Sequence, residues 1–600
     1  MTTAIRATGT GHATEEDTQE AELLARVLGA LLREDVVGLR THSTLLDGPD
    51  GRWLRLPADE TAGALLLPLG EDGFQSEFTA QAPFLVRECD GARLTTIDEV
   101  LAALRALADP VDQEGFDAFS EECRQTLTTM RLHARTRDET DARLSARHGA
   151  VADWTGLDGG LAYDALAARL DHPVYPTARG RSGLTEAQLL AYAPEFSQHF
   201  TLRWLALPRD AVTVAGGGAA LPACWPTPAA LGLPHLEKSH LALPVHPLSV
   251  GDPLRDALGE RGLADGAVLA DRALLDVVPT LSMRTVASAA DPALHLKLPL
   301  TTSTLGLRNR RTIKPSTLID GAAGQRLLET LIAREPRFAQ TILQADETGY
   351  AHAGHELLAV LCRRYPTGLD GSTVVPMAAV LSRAPDGRLV IDHLADHFYG
   401  GDPPALLDAC FRLLFDWQAT LFGYGIALES HQQNISLVLS GAGAGGPRLR
   451  LLFKDNDGPR INIARLRDTL GDDAPDPADF ADPRIFGESD RPVLDLFATI
   501  TVHLCAGAYA FGLAGHGRAQ LSRLTGLIRD RLGEAVERLG TGPGEPGAAL
   551  RAHVLDAPHL PVKAMVSAGT LLSKERSGAA DINKHYTTGP NYLLPTAGGR

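Results

Sequence analysis

One stretch constrains this 600-residue chain more than any other, the run from Gly425 to Gly458. It opens as Ile426-Ala427-Leu428-Glu429-Ser430-His431-Gln432-Gln433-Asn434 and continues through an apolar run, Ile435 to Leu439. A glycine-rich tip (Gly441 to Gly446) and a second run, Leu449 to Phe453, lead into Lys454-Asp455-Asn456-Asp457-Gly458. Two short apolar runs around a glycine tip predict a β-hairpin. A hairpin returns the chain to the end it started from, so both polar loops arrive together. That places Glu429, His431, Gln433 and Asn434 beside Asp455 and Asp457. Carboxylate and amide oxygens clustered this way suit a hard cation such as magnesium, and the histidine adds a donor or a proton carrier. The stretch predicts a nucleotide or metal site.

Upstream lies the opposite charge. Lys plus Arg number 57 against 74 Asp plus Glu, a formal net charge of −17, which argues against general nucleic-acid or anionic-membrane binding. Against that background four of the seven residues from Arg308 to Lys314 are basic, and Thr301, Thr302, Ser303 and Thr304 precede them. Arginine offers bidentate contacts, lysine a point charge and hydroxyls orienting donors, the equipment for phosphate or carboxylate groups. Arg308, Arg310 and Arg311 compete for the inward position. Two further basic loops stand out. Asp171 to Leu184 carries His172, Tyr175, Arg179 and Arg181 on a stretch that its prolines and glycines keep irregular. Ser282-Met283-Arg284-Thr285 precedes a short strand ending in Lys297-Leu298. Gly216-Gly217-Gly218 lacks a following Lys-Ser/Thr and reads as a turn, not a phosphate loop.

The rest bounds the class. Helices are predicted for about Thr18 to Arg33, Ile97 to Leu107, Phe116 to Arg147, Glu186 to Tyr192, Gln325 to Arg334, Ala405 to Leu421, Val493 to Leu513 (buried) and Leu521 to Leu539. Short strands are predicted among them, with mixed segments up to about Asp90 and disorder over residues 1 to 13. The class is α+β, in several domains. The cysteines, Cys89, Cys123, Cys224, Cys362, Cys410 and Cys505, never fall within ten residues of one another, so no zinc or redox pair is indicated. Without an apolar leader or an eighteen-residue apolar run, the expectation is a cytoplasmic protein off the membrane.

These blocks, in this order over roughly residues 165 to 570, resemble the IucA/IucC family of NRPS-independent siderophore (NIS) synthetases. The family's His-Pro-x-His-Pro-x-x-Lys-x-Arg-x-Gly block looks like His172 to Gly183, with Tyr175 in place of the second His and Arg179 in place of the Lys. Tyr192 to Phe196, Pro244-Val245-His246-Pro247, Ser282 to Thr285, Lys297 to Arg311, His431 to Asn434 and Lys454 to Gly458 match further blocks. Leu248-Ser249 stand where the family has Trp-Gln. The resemblance implies a cupped-hand α+β fold in three parts: an N-terminal helical thumb (1–165), a fingers domain (166–395) and a palm with kinase-like topology (396–600). It implies an acyl-adenylate made from ATP and a carboxylic acid, citrate or a derivative foremost. An amine or hydroxyl substrate then displaces AMP. A homodimer is common in the family.

By that resemblance Ser282, Arg284, Thr285, Lys297 and Arg311 hold the ATP phosphates. Gln433, Asn434 and Asp455 position nucleotide and Mg2+, with Glu429 as a second metal carboxylate. Arg311 and His431 meet the acid, with Thr302, His172 and Arg181 nearby, and His431, Arg311 and Lys297 form the catalytic set. Arg284→Ala, His431→Ala and Asp455→Ala are each expected to leave a folded, inactive protein. Two other readings remain open: a small-molecule kinase-like phosphotransferase, which releases ADP, and a non-catalytic binder of nucleotide or carboxylate.

Overall fold

The computed structural model describes residues 15–49, 51–58, 63–215, 221–441, 446–578 and 585–595. The expectations for residues 1 to 13, for Gly216-Gly217-Gly218 and for the centre of the hairpin tip lie outside the described residues. The fold is mixed α+β.

The helix Glu15–Arg33 buries Leu23, Leu24, Val27, Leu28, Leu31 and Leu32 completely, the three-and-four spacing of one helical face. The long helix Gln113–His148 follows the capped helix Ile97–Leu107. Between the first and second of these helices the expectation of a helical 1–165 region is corrected. Thr44 to Leu94 forms a six-stranded antiparallel sheet. Its strands are short, and Ala64–Glu71 is buried on both faces, so the period-two signal is weak in the sequence.

One apolar core runs from Leu23 to Leu593 and joins the first and last parts of the chain. The Glu34 carboxylate reinforces that joint by accepting the amides of Val566 and Ser567 at 3.0 and 2.8 Å. Residues from Leu202 to Cys362 build a second core around a seven-stranded antiparallel sheet. Its middle strands are Asp276–Pro279, Thr285–Ser288, Leu294–Lys297 and Ala359–Arg364. Leu294, Leu296 and Leu298 face that core, so His295 and Lys297 point the other way. His295 pairs with Arg363 and Lys297 with Thr285 across neighbouring strands, which puts a row of polar side chains on one face.

The predicted hairpin forms as Ile435–Ser440 antiparallel to Arg448–Phe453, inside a four-stranded sheet. The strand Ile342–Gln344 belongs to that sheet and leads at once into Asp346–His352 of the seven-stranded one. The two sheets therefore meet at the loop that follows Phe453. The helical run Arg491–Gly515 is long and apolar enough to cross a membrane, but 89% of its most apolar window is buried inside the fold, as in a core helix. Its middle, Phe497–Gly507, is a π-helix. The Leu504 carbonyl in that stretch accepts Gln432 Nε2 at 2.6 Å, which props the His431 loop.

Candidate active site

At the meeting of the two sheets Asp455 is held in a left-handed conformation (φ 57°). Both oxygens of Glu347 accept its amide, at 2.9 and 3.0 Å. Its own carboxylate takes Lys297 Nζ at 2.7 Å and Arg363 at 2.6 Å, and Arg363 also pairs with Glu347. Burial works against the charge on Asp455, but Arg363 and then Lys297 hold its carboxyl well below the usual range. Lys297 also reaches Asp457, at 3.7 Å. The two hairpin loops do converge: the Lys454 amide donates to the Asn434 carbonyl at 3.1 Å, and Asn434 Nδ2 to the Glu429 carbonyl at 3.2 Å. Gln433 is half-buried on the same loop.

The arginines gather against this centre. Ser282 to Thr285 is a tight turn with Met283 at φ 60°, closed by Ser282 Oγ accepting the Thr285 amide at 3.1 Å. It leaves Arg284 donating to the Thr312 carbonyl at 2.6 Å, close enough to feel Asp455 and Asp457. Of the three competing arginines, Arg308 and Arg310 are exposed, and Arg310 reaches Glu356 at 3.6 Å. Arg311 turns inward. Burial and then the Arg284 charge push its pKa down to about 9, so an anion is wanted there. Among the described residues, Arg284 Nε, Thr285 Oγ1, Arg311 Nε and Arg181 Nε are buried without a hydrogen-bond partner, and groups like these call for a ligand or ordered water. Thr302 is committed elsewhere, its hydroxyl donating to the Ser182 carbonyl at 2.8 Å. Arg181 donates to the Ala178 carbonyl at 3.0 Å and lies 3.8 Å from buried Glu195.

Two histidines face one another's fields across the site. His172 Nδ1 accepts the amides of Val174 and Tyr175 at 3.3 and 3.1 Å, and His431 Nδ1 accepts that of Gln433 at 3.3 Å. An accepting Nδ1 places the proton of a neutral ring on Nε2. Both rings are thus hydrogen-bond donors at Nε2. Burial lowers His172 to about 3, aided by His431, and burial then Lys563 lower His431 to about 4. His246 and His503, buried elsewhere, fall to about 3 and about 4. Above the ordinary histidine pKa of about 6.5 folded and unfolded chains are both neutral at these rings. Below it only the unfolded chain takes up protons, so stability is lost as pH falls toward 4. The unfolding free energy of the ligand-free protein is expected to fall between pH 6.5 and 5, by about 1 kcal/mol per pH unit for each such ring. Urea titrations across that range check it, and a flat profile contradicts it.

Asp455 and Glu429, the two expected metal carboxylates, are too few to cage an ion by themselves. Among the described residues no three His, Cys, Asp or Glu side chains group so as to hold a metal, and two cations already occupy Asp455. Glu429 packs against Gly458 of the other hairpin loop. These residues do not form a protein-only cage; a Mg2+ here needs phosphate oxygens to complete its shell.

The sequence reading missed three residues. Glu347 and Arg363 sit on strands of the seven-stranded sheet, and for Arg363 the alternation with core-facing Val360 and Cys362 was the available signal. Lys563, at the end of the strand His559–Lys563, is buried and acts on both His172 and His431; nothing local marks it. Arg179, standing where the family has Lys, instead clasps Asp171 through two bonds of 2.6 and 2.7 Å. His246 caps its own turn by accepting the Leu248 amide at 3.1 Å.

Comparison with known proteins adds the following. Residues 161–382 match the family model described as the IucA / IucC family, and residues 405–575 match one described as a ferric iron reductase FhuF-like transporter. A rhizobactin siderophore biosynthesis protein, RhbC, of Rhizobium meliloti is 25% identical over 68% of this chain and 72% of its own. The staphyloferrin A synthase of Staphylococcus aureus is 25% identical over 52% of this chain and 55% of its own. An L-2,3-diaminopropanoate–citrate ligase of the same organism is 34% identical over 22% and 23%. The chain thus spans little more than half of the staphyloferrin A synthase and under a quarter of the citrate ligase. The solved petrobactin biosynthesis protein AsbB of Bacillus anthracis superposes with a TM-score of 0.73 at 17% identity, over 97% of this chain and 96% of its own. ATP-bound aerobactin synthetase IucA of Klebsiella pneumoniae gives 0.65 at 18%, over 96% and 100%. At those identities the structures establish the fold. Residues 161–382 are an IucA / IucC family domain, and the relatives aligned with the chain carry the names of siderophore-synthesis proteins.

Proposed function

We propose that the protein is an ATP-dependent ligase of siderophore biosynthesis. It joins a carboxylic acid, citrate or a citrate derivative foremost, to an amine or hydroxyl through an acyl-adenylate. The observation that carries this reading is the set of buried, unpartnered donors on Arg284, Thr285 and Arg311 beside the Lys297–Asp455 pair. ATP and a polycarboxylate are both polyanions, and bringing them together requires fixed, desolvated cations. The relatives named as siderophore and citrate-ligating enzymes, and the ATP-bound structural neighbour, support it.

In this reading Arg284, Lys297 and Arg311 neutralise the triphosphate. Ser282 and Thr285 orient it, and Gln433 and Asn434 line the nucleotide side. A carboxylate oxygen of the acid attacks the α-phosphorus, the bond to the β-phosphate oxygen breaks, and pyrophosphate leaves. The amine then attacks the acyl carbon, the C–O bond to AMP breaks, AMP leaves, and the amine proton passes to solvent. Neutral His431 and His172, with protons on Nε2, donate to the acid's carboxylates beside Lys563. This assigns His431 to binding, not to taking the amine's proton. Mg2+, arriving with the phosphates near Asp455 and Glu429, supplies charge neutralisation. The regions 1–165, 166–395 and 396–600 act as thumb, fingers and kinase-like palm.

Pyrophosphate release with ATP, Mg2+, a panel of acids and hydroxylamine as surrogate nucleophile tests the proposal. A citrate-dependent signal is expected. Pyrophosphate with another acid moves the substrate only; ADP in its place means a phosphotransferase.

A further inference from the structure

Glu122, on the long helix Gln113–His148, has no part in the chemistry above, yet three site-bearing segments converge on its carboxylate. One oxygen accepts the Leu307 amide at 2.8 Å and the Thr570 hydroxyl. The other accepts the hydroxyls of Tyr175 and Thr177, both at 3.1 Å. Tyr175 and Thr177 belong to the loop carrying His172 and Arg181. Leu307 lies in the loop that ends in Arg311. Thr570 lies seven residues after Lys563. All four partners are neutral donors.

The contacts around the clasp act in the same direction. The Arg308 amide donates to the Gly569 carbonyl at 3.2 Å, and the Leu307 amide also reaches Thr570 Oγ1 at 3.1 Å. Gly306 packs so closely on Gly569 that a Cβ there would lie 2.9 Å from the Gly569 Cα. Leu305, just before, sits at φ 56°, a conformation that costs energy in a non-glycine residue and persists only when its surroundings enforce it. The 303–310 loop is therefore held by what it docks on, and Arg311 inherits its position from that docking. Burial pushes the Glu122 carboxyl up, in keeping with a carboxylate chosen for its acceptor geometry and not for an ion pair.

We propose that Glu122 is a positioning residue: it clasps the 172–183 loop, the 303–311 loop and the segment after Lys563, and so sets where Arg311 meets the substrates. Tyr175 serves the clasp here, where the family pattern has histidine. The inference rests on the ligase reading for the role of Arg311, but the clasp itself is separately measurable.

The test uses the full chain and Glu122→Gln, which keeps the size but turns one acceptor into a donor facing donors. Thr570→Val is the second variant, should the first fold poorly. Two readouts are compared with the unsubstituted protein: hydrogen exchange of amides 303–310, and pyrophosphate release per folded molecule. Faster exchange in that loop and a loss of about tenfold or more in kcat are expected, since displacements near 1 Å at a reacting site carry costs on the order of 100-fold. A merely structural role would lower the melting temperature and leave kcat per folded molecule untouched. Unchanged exchange overturns the clasp; faster exchange with unchanged kcat overturns the positioning role. No pyrophosphate from the unsubstituted protein with any acid overturns the ligase reading and with it the catalytic role, and exchange still decides the clasp.

Discussion

Asp455→Asn is expected to leave a folded protein that has lost pyrophosphate release by about 1,000-fold, as for the loss of a preorganised charged group at a reacting centre. Asp455→Ala is expected to behave differently. The sequence alone suggested that alanine would also be tolerated, because it removes charge and not core volume. The structure corrects this. Lys297 and Arg363, 8% and 1% exposed, both close on Asp455. Without it two buried cations face one another, with Glu347 paired to Arg363 alone. Removing one partner of a buried pair costs about 3–5 kcal/mol, so the alanine variant should melt well below the asparagine one. Asparagine keeps an oxygen for Lys297 and fills the same space. Thermal melts beside the pyrophosphate assay separate the two effects. Equal stability of the two variants would mean that the clasp adds nothing to the fold, and full activity in Asp455→Asn would remove Asp455 from the site.

Arg311→Ala is expected to lower kcat/KM for pyrophosphate release by about 100- to 10,000-fold, with Arg310→Ala within about threefold of the unsubstituted enzyme. The first removes a desolvated guanidinium from the meeting point of two polyanions. The second removes an exposed side chain that reaches Glu356 at the surface, where substitutions stay within about 0.5 kcal/mol. Arg311→Lys should recover little, since lysine cannot reproduce a planar two-point contact. Because burial and Arg284 already lower the Arg311 pKa to about 9, removing it relieves repulsion in the empty site. The variant should therefore be at least as stable as its parent while being far less active. An active Arg311→Ala enzyme with a crippled Arg310→Ala enzyme would reverse the assignment.

Much of the site was legible in the sequence because local spacing determined it. Ile435–Ser440 and Arg448–Phe453 could only pair as a hairpin, and a hairpin must bring the Glu429–Asn434 and Lys454–Gly458 loops together. The amphipathic helices were legible for the same reason, down to Ile97–Leu107 and Glu186–Tyr192. Charge density in the 308–314 run, against a net charge of −17, singled out the segment whose Arg311 turns inward.

What local pattern does not carry, only the tertiary structure decided. Three arginines within four residues look alike until the loop docks on Gly569 and turns one of them inward. Lys563 is distant in sequence from every other group it serves. Glu347 reaches Asp455 only because one strand passes from the four-stranded sheet into the seven-stranded one at Ala345. The early sheet between Thr44 and Leu94 stayed hidden because its burial pattern is uneven: Ala64–Glu71 is buried on both faces and loses its alternation, while Thr44–Gly48 is exposed. The sequence determined which groups are present and which short segments must fold back on themselves. Long-range packing decided which charges face each other, because burial, and not spacing, makes a charge costly unless it is paired.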